Sequence, residues 1–248
     1  MQEWKKGRVV AAAVLFMLGT AFHTAHGQAA LLVLLFGEQV ASEEFYFSLK
    51  LGANVADVTG FEGGSTRLAL NFGLLATIKL SDQFYVVPEF APLSGKGISK
   101  FPTVSTGDPN LDALLGNDNK TSVEFNYLDI PVVVKYYPLT TLNVGVGPYV
   151  SYLLAAERRV QGSLASTGSP LTLIDDVKAR FNKWDYGAVF EVGYAPWRTG
   201  KTDELNFHLR YALGLSNING DAGGKTLSHS VFQIFVSLPF MEPPNQSK

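Results

Sequence analysis

The sequence predicts an all-β protein: an eight-stranded, antiparallel, up-and-down transmembrane β-barrel that follows an N-terminal signal peptide. Three observations predict it: a hydrophobic period of two that recurs eight times, connections that alternate between long and short, and an export signal. The predicted organisation is a signal peptide over 1–27, a short segment over 28–44, the barrel over 45–240 and a polar tail over 241–248.

Composition excludes several classes of protein. The chain has 248 residues, of which 46% are hydrophobic and 17% charged, with no cysteine and a net charge of −2. Disordered chains are poorer in apolar residues and richer in charge. The lack of cysteine excludes disulfides, Cys-ligated metals and a lipid anchor, and the net charge gives no footprint for nucleic acid. Beyond the N-terminus, no apolar run approaches the roughly 20 residues of a spanning helix.

The first residues have the features of a cleavable secretory signal. A basic stretch over 5–8 precedes an apolar stretch over 9–21, and a small-x-small site at 25–27 would leave Gln28 first in the mature chain. The alternative is an uncleaved anchor that continues through the apolar run 29–36. His23, Thr24 and His26 interrupt such an anchor before it reaches this second run, which favours cleavage and export.

From residue 45 onward, apolar residues alternate with polar or small residues, which is the pattern of β-strands. The apolar face carries no charge, whereas the other face mixes charges with glycine and small polar residues. All but one of the eight segments are long enough for tilted spanning strands of about 9–11 residues. The eight segments are 45–55, 67–80, 84–90, 127–136, 142–154, 185–194, 205–215 and 231–240.

The connections alternate in length, as in bacterial membrane barrels with short periplasmic turns and long outer loops. The predicted long loops are 58–65, 95–120, 157–183 and 216–228, and the predicted short turns are 81–83, 138–141 and 196–204. Aromatic residues near the strand ends predict two interfacial girdles. They are Phe84, Tyr136, Tyr137 and Trp197 at the short-turn side, and Phe125, Tyr152, Trp184 and Tyr186 at the long-loop side.

The alternative fold is a soluble barrel or β-sandwich, whose water-facing surface is rich in charge. The polar face here has few charges and many glycines, which favours a crowded barrel interior. Charges placed in lipid at mid-depth cost about 2–4 kcal/mol for Lys or Arg, so they are expected to pair inside the barrel. They are Lys50, Arg67, Glu89, Asp129, Lys135, Glu191 and Arg210.

The chain resembles the outer-membrane β-barrel family typical of Bacteroidetes-type bacteria, the PorT-like porin family, over roughly its whole mature length. The motifs that carry the resemblance are Leu51-Gly52-Ala53-Asn54, Pro88-Glu89-Phe90 leading to Gly95-Lys96-Gly97, Tyr127-Leu128-Asp129-Ile130-Pro131 with Lys135-Tyr136, Gly145 to Tyr152, and Arg210-Tyr211 with Gly214-Leu215 and Asn217-Ile218. The resemblance implies the fold and the outer membrane, and some members of the family resemble factors needed for protein secretion across that membrane. The end of the chain departs from the family pattern. Such barrels often end on an aromatic residue, whereas Phe240 here is followed by the polar tail 241–248.

His208 and His229 are the two histidines of the predicted mature chain and its candidates for chemistry. His229, with Ser228, Ser230 and the pair Asp175-Asp176, is a conceivable nucleophile–base–acid set at the rim. No flanking motif supports it, and a polar rim residue is the preferred interpretation. His208 is expected to bond an interior acid such as Glu191.

Two further motifs have ordinary explanations. Residues 108–112 have the oxygen spacing of a calcium loop, but Ala113 and Asn119 replace the expected glycine and acid, so we expect a solvated loop. Gly145-Val146-Gly147 has the glycines of a phosphate-binding loop, but it lies within a predicted strand. There the glycines indicate close packing of the backbone instead of phosphate binding. A short helical turn is predicted over 175–181.

The sequence therefore predicts a non-enzymatic, integral outer-membrane protein with a structural or accessory role, without cofactor or metal. An eight-stranded barrel is narrow enough for side chains to fill, so we expect a closed lumen. The expected filling residues are Tyr46, Arg67, Tyr127, Tyr149, Leu153, Glu191 and Arg210. The expected partners are membrane lipid and envelope proteins at the outer loops. An outer-membrane enzyme and a small-solute transporter stay open as alternatives.

Overall fold

The computed structural model describes residues 45–61, 63–102, 108–115, 119–196, 205–221 and 223–239. The predicted signal peptide, the segment 28–44, the polar tail, Trp197 and Phe240 lie outside these residues. The predictions made for them stay predictions.

The described strands form one antiparallel sheet that closes on itself. They are β1 (Phe45–Thr59), β2 (Ser65–Lys79), β3 (Phe84–Pro102), β4 (Lys120–Leu139), β5 (Leu142–Ser163), β6 (Pro170–Asp176), β7 (Trp184–Tyr194), β8 (Asn206–Gly214) and β9 (Ser228–Pro239). Closure comes from the β1–β9 and β4–β5 pairings, so all strands except β6 make a ring of eight. The predicted fold class is confirmed.

Alternating burial shows which face of each strand points inward. In β8, Asn206, His208 and Arg210 are buried, whereas Phe207 and Leu209 between them are exposed. Successive side chains of a strand point to opposite faces of a sheet, so the apolar set of the sequence lies on the outside of this barrel. Its polar set fills the inside.

One half of the barrel is much taller than the other. Strands β3, β4 and β5 have 19, 20 and 22 residues, whereas β7, β8 and β9 have 11, 9 and 12. The sequence prediction of loops over 95–120 and 157–183 is therefore wrong in part. Strand β3 continues to Pro102 after a register shift between Ala91 and Ser94, which interrupts the period of two. Strand β6 pairs with the outer part of β5 as a hairpin.

The loops at the tall end carry short helices. Helix α1 (Pro109–Leu114) lies in the β3–β4 connection, and a 3-10 helix (Lys178–Arg180) follows β6 within the predicted helical turn. No helix among the described residues has the length and hydropathy needed to cross a membrane.

The aromatic girdles are confirmed for four side chains and wrong for two. Phe84 and Tyr136 are exposed side by side at the short-turn end, with ring centroids 5.0 Å apart. Trp184 is 58% exposed and Tyr186 57% exposed at the long-loop end. Tyr137 and Phe125 are only 7% and 2% exposed, because their strand positions point inward. Tyr137 packs on Tyr85 inside the barrel.

Candidate functional site

A network of charged side chains crosses the middle of the lumen. Arg210 on β8 lies in register with Glu191 on β7, and its guanidinium also reaches Glu89 on β3 across the barrel. Arg210 Nε donates to Glu191 Oε2 at 2.7 Å, and Arg210 Nη1 donates to Glu89 Oε2 at 2.8 Å. One guanidinium therefore ties two distant strands together with charge-assisted bonds.

Further groups complete this charged network. Lys50 Nζ lies 3.0 Å from Glu89 Oε2, and Lys135 Nζ lies 2.7 Å from Glu191 Oε1. The structure brings His208 to Glu191 as the sequence predicted, with Nδ1 2.9 Å from Oε1. The second ring nitrogen of His208 is 2.9 Å from the hydroxyl of Ser237.

A second group, the Lys96 group, lies in the lumen nearer the long-loop end. Lys96 Nζ is 3.0 Å from Asp129 Oδ1 and 3.4 Å from Asp185 Oδ2. The hydroxyls of Ser216 and Tyr149 donate to Asp185 at 2.6 Å and 3.2 Å. Asp185 is thus bound by the lysine and two hydroxyls, and Asp129 by the lysine and the hydroxyl of Ser94, which donates at 2.6 Å.

The two groups balance each other in charge. Among the described residues, the buried charges are four basic side chains and four carboxylates, with His208 and His229 besides. They are Lys50, Lys96, Lys135 and Arg210 against Glu89, Asp129, Asp185 and Glu191. Removing charges from water is costly unless they are paired, and here the pairing is complete in number. The predicted pairing of interior charges is confirmed apart from Arg67.

Arg67 was expected in the interior, and this was wrong. It is half-buried at the long-loop rim, where Nη2 lies 2.7 Å from Glu124 Oε2. A register shift between β2 and β3 after Thr66 changes the local geometry around Arg67. Its guanidinium bonds Glu124 on β4 and the carbonyl of Lys96 instead of a carboxylate in the lumen.

The sequence reasoning missed Lys96 and Asp185 as partners. Lys96 fell in a predicted loop because the register shift in β3 breaks the alternation after Phe90. A usable signal existed in the resumed alternation of Ser94, Lys96 and Ile98, which are all buried.

An apolar cluster, the mouth cluster, closes the lumen at the long-loop end. Loop residues contribute to it, and Phe181 packs edge-on against Phe125 with ring centroids 4.7 Å apart. Ile218 N donates to Leu227 O at 2.8 Å, which folds the β8–β9 loop over the opening. The buried members are Val58, Ile98, Val123, Phe125, Tyr127, Leu153, Ala156, Val177, Ile218 and Leu227.

The structure does not assemble the conceivable rim site of His229. This ring is 1% exposed beneath the mouth cluster, and Nε2 lies 3.4 Å from the hydroxyl of Tyr127. Ser230 bonds the hydroxyl of Tyr211 on the outside of the barrel, and Asp175 bonds Arg158. The preferred interpretation of His229 as a polar rim residue was also wrong, because the ring is interior.

The other motifs have structural explanations. Asp108 is the N-cap of α1, and its side chain accepts a bond from Asn110 N at 2.8 Å, so the expected loop at 108–112 is partly helical. A Cβ on Gly147 would lie 1.9 Å from Val132 O, which accounts for that glycine by close packing of strands. Among the described residues, no group of three or more His, Cys, Asp or Glu side chains is placed to hold a metal ion.

Comparison with known families decides the kind of protein. Residues 38–220 match the model of the outer membrane protein beta-barrel domain. The chain belongs to this family. It is therefore an outer-membrane β-barrel protein, and membrane lipid surrounds the apolar outer face of the ring.

Solved structures with similar folds are distant. Ail, the attachment invasion locus protein of Yersinia pestis, in complex with the heparin analogue sucrose octasulfate, is 8% identical, with 79% of this chain and 98% of that chain covered and a TM-score of 0.39. Neisserial surface protein A is 11% identical, with 79% and 97% covered and a TM-score of 0.39. Acinetobacter baumannii CarO is 10% identical, with 77% and 97% covered and a TM-score of 0.36. No curated protein matches the chain.

Proposed function

We propose that this protein is a closed, non-enzymatic barrel with a structural or accessory role in the cell envelope, and that its long-loop end is the surface at which it meets other envelope components. The observation that carries the proposal is the filled lumen. The charged network and the Lys96 group, which together balance in charge, fill the lumen, and an apolar cluster covers its mouth. A path for ions or solutes would require both to move.

The size of the ring supports the same proposal. Eight strands leave an interior that side chains can fill. A cavity of about 10 Å³ at the short-turn end, bordered by Tyr46, Lys135 and Asn206, has the room of about one water molecule.

The proposal includes the narrower identity that the sequence resemblance implies. We place the chain among the PorT-like porin-family proteins of Bacteroidetes-type bacteria, with export by a signal peptide cleaved after residue 27. N-terminal sequencing of the protein from native outer membranes tests the second point, with Gln28 expected first. A mature chain that retains residues 1–27 contradicts it.

Conductance measurements test the closed lumen. We expect no steady single-channel steps when the purified barrel is inserted into planar bilayers, because charge pairs and apolar side chains block the path. Insertion is verified by a gel in which the folded barrel migrates differently before and after boiling. Large, steady steps from verified barrels would refute the closed lumen and favour the transporter.

Affinity purification from native membranes tests the accessory role. We expect envelope proteins to accompany the full chain at low salt, and a variant that lacks the hairpin tip 164–169 to lose them. The matched control exchanges the short turn 81–83 at the opposite end for glycine and serine. Equal recovery of the same proteins with both variants would contradict the role of the long-loop end.

A further inference from the structure

A basic segment lies directly above an exposed aromatic group at the long-loop end of β5 and β7. The segment is 178–183 and contributes Lys178, Arg180 and Lys183. Beneath it, Tyr152 and Trp184 form an edge-to-face pair with ring centroids 4.9 Å apart. We call these residues together with Tyr186 the basic–aromatic patch.

The aromatic members define the depth of the patch in the membrane. Tyr152 pairs with Trp184 in the β5–β7 ladder, and Tyr186 lies two residues further along β7 on the same outer face. Exposed tryptophan and tyrosine on the outside of a membrane barrel lie at the boundary between acyl chains and headgroups. The basic segment therefore lies at headgroup level.

The segment is held in place by its neighbours. Val177 N donates to Ala156 O at 2.9 Å, and Phe181 packs into the mouth cluster. The side chain of Asn182 donates to two carbonyls of the β8–β9 loop, at Asn217 and Asn219, at 2.8 Å and 2.9 Å. The cations are consequently displayed from a fixed backbone and do not lie on a free loop.

One side chain and one backbone carbonyl of the segment bond to β5 beside the aromatic pair. Lys178 Nζ donates to Leu154 O at 2.7 Å, and Lys183 O accepts from Leu153 N at 2.8 Å. Both contacts lie one or two residues beyond Tyr152 along β5. Arg180 lies between these anchors and is exposed.

The charge of the patch is positive and largely unused. Within 176–186 the acids are Asp176 and Asp185, and Asp185 is buried on Lys96. Asp176 Oδ1 accepts a hydrogen bond from the backbone N of Lys178 at 2.9 Å, so this carboxylate bonds the backbone of the segment. The side chains of Arg180 and Lys183 are exposed and make no ion pair with the described residues.

We propose that the basic–aromatic patch binds the phosphate of a phosphorylated glycolipid of the outer leaflet. The rings contact the acyl boundary while the guanidinium and ammonium groups meet the phosphate, which is the chemistry by which basic residues at a membrane surface select anionic lipids. A lipid satisfies both parts of the patch at once, whereas a soluble anion satisfies the cations alone.

The test uses the full mature chain in dimyristoylphosphatidylcholine discs, with acceptor-labelled lipid A as the probe and energy transfer from Trp184 as the readout. The substitution Trp197→Phe is present throughout, because Trp197 is the other tryptophan of the mature chain. We expect the double variant R180Q/K183Q to bind lipid A roughly 25-fold more weakly, since each basic residue near an anionic surface contributes about a fivefold gain. The matched control K100Q/K120Q removes the same charge from exposed positions of β3 and β4, and its binding should not change. Heat-modifiability on a gel confirms that both variants are folded.

Each other outcome overturns the proposal. Equal losses in both double variants would indicate general charge attraction, and no loss in either would mean that the patch is not the site. Equal binding of dephosphorylated lipid A would leave only apolar contact. Competition by inorganic phosphate at the affinity of lipid A would indicate a soluble-anion site instead of a lipid site.

Discussion

The middle of the lumen and its mouth are both buried, but charges fill the first and apolar side chains fill the second. In the middle, which includes the Lys96 group, the ion pairs join side chains from β1, β3, β4, β7 and β8, so they depend on the closed ring. At the mouth, loop residues such as Val177, Ile218 and Leu227 supply much of the cover. The ion pairs of the first region come from strands alone, whereas in the second region loop residues pack on inward side chains of the strands.

This difference predicts two kinds of failure. Buried ion pairs cost a great deal when one partner is removed, because the other charge is left without compensation. Truncation of a buried apolar loop residue costs the transfer free energy of the removed atoms and the free energy of the cavity left behind. A loop can also open locally while the sheet beneath it stays paired. Substitutions in the middle should therefore weaken the whole barrel, and those at the mouth should loosen the cover.

The largest effect is expected from Lys96→Met. The ion pairs of both Asp129 and Asp185 go to this lysine, so the substitution leaves two buried carboxylates without a cation. We expect the free energy of unfolding to fall by about 3–5 kcal/mol, measured by urea titration of the barrel in lipid vesicles.

The control for Lys96→Met is Arg159→Met, which also removes one basic residue. Arg159 lies 3.3 Å from Glu124 with both side chains partly exposed to solvent, so a loss of about 0–1 kcal/mol is expected. Equal tolerance of the two substitutions would show that burial of the Lys96 group does not decide its contribution.

A second, smaller effect is expected from Ile218→Ala at the mouth. The side chain is buried in the mouth cluster, and truncation of a buried isoleucine costs about 2–5 kcal/mol. Because Ile218 lies in the β8–β9 loop, we expect most of this loss as local opening. Hydrogen exchange should accelerate at the amide of Ile218, which donates to Leu227, while the urea midpoint changes less.

Ile174→Ala is the matched control at the long-loop end, since Ile174 is 54% exposed on β6. It should change neither hydrogen exchange in the β8–β9 loop nor the unfolding free energy by more than about 0.5 kcal/mol. A fall of the urea midpoint for Ile218→Ala that matches Lys96→Met would remove the distinction between the two regions.

The sequence predicted the faces of the strands far better than the partners across the lumen. A period of two determines whether Arg210 and Glu191 point inward, since each strand alternates independently of the others. Which side chains meet across the lumen depends on strand tilt and stagger, which no local pattern encodes. Glu191 and Arg210 are opposite each other in the register of the neighbouring strands β7 and β8. The bond between Arg210 and Glu89 on β3, by contrast, depends on closure of the ring.

The two wrong girdle residues teach a related point. Phe125 and Tyr137 were assigned by their nearness to strand ends, yet both are in phase with the buried positions of β4. The alternation alone would have placed them inside. The mouth cluster was not predicted, because loop residues such as Val177 and Ile218 have no periodicity, and their positions depend on hydrogen bonds between loops.

The smallest effect is expected from His229→Phe, at the boundary between the two regions. The ring of His229 packs edge-on against Phe125 and Tyr127, with centroids 5.2 Å and 5.3 Å away. Its Nδ1 is buried and makes no hydrogen bond with the described residues. Phenylalanine would remove this unpartnered nitrogen and give up only the long contact of 3.4 Å between Nε2 and the Tyr127 hydroxyl, so we expect a change below about 1 kcal/mol in urea titrations.

The same substitution also decides between a structural and a chemical role for His229. A structural ring among aromatic neighbours tolerates phenylalanine, whereas a general base does not, because phenylalanine has no nitrogen to accept a proton. The comparison variant is His208→Phe, which removes bonds to Glu191 and Ser237 and should cost more stability than His229→Phe. If His229→Phe left stability unchanged but abolished a lipid- or peptide-cleaving activity of the purified barrel, the closed, non-enzymatic role would be wrong.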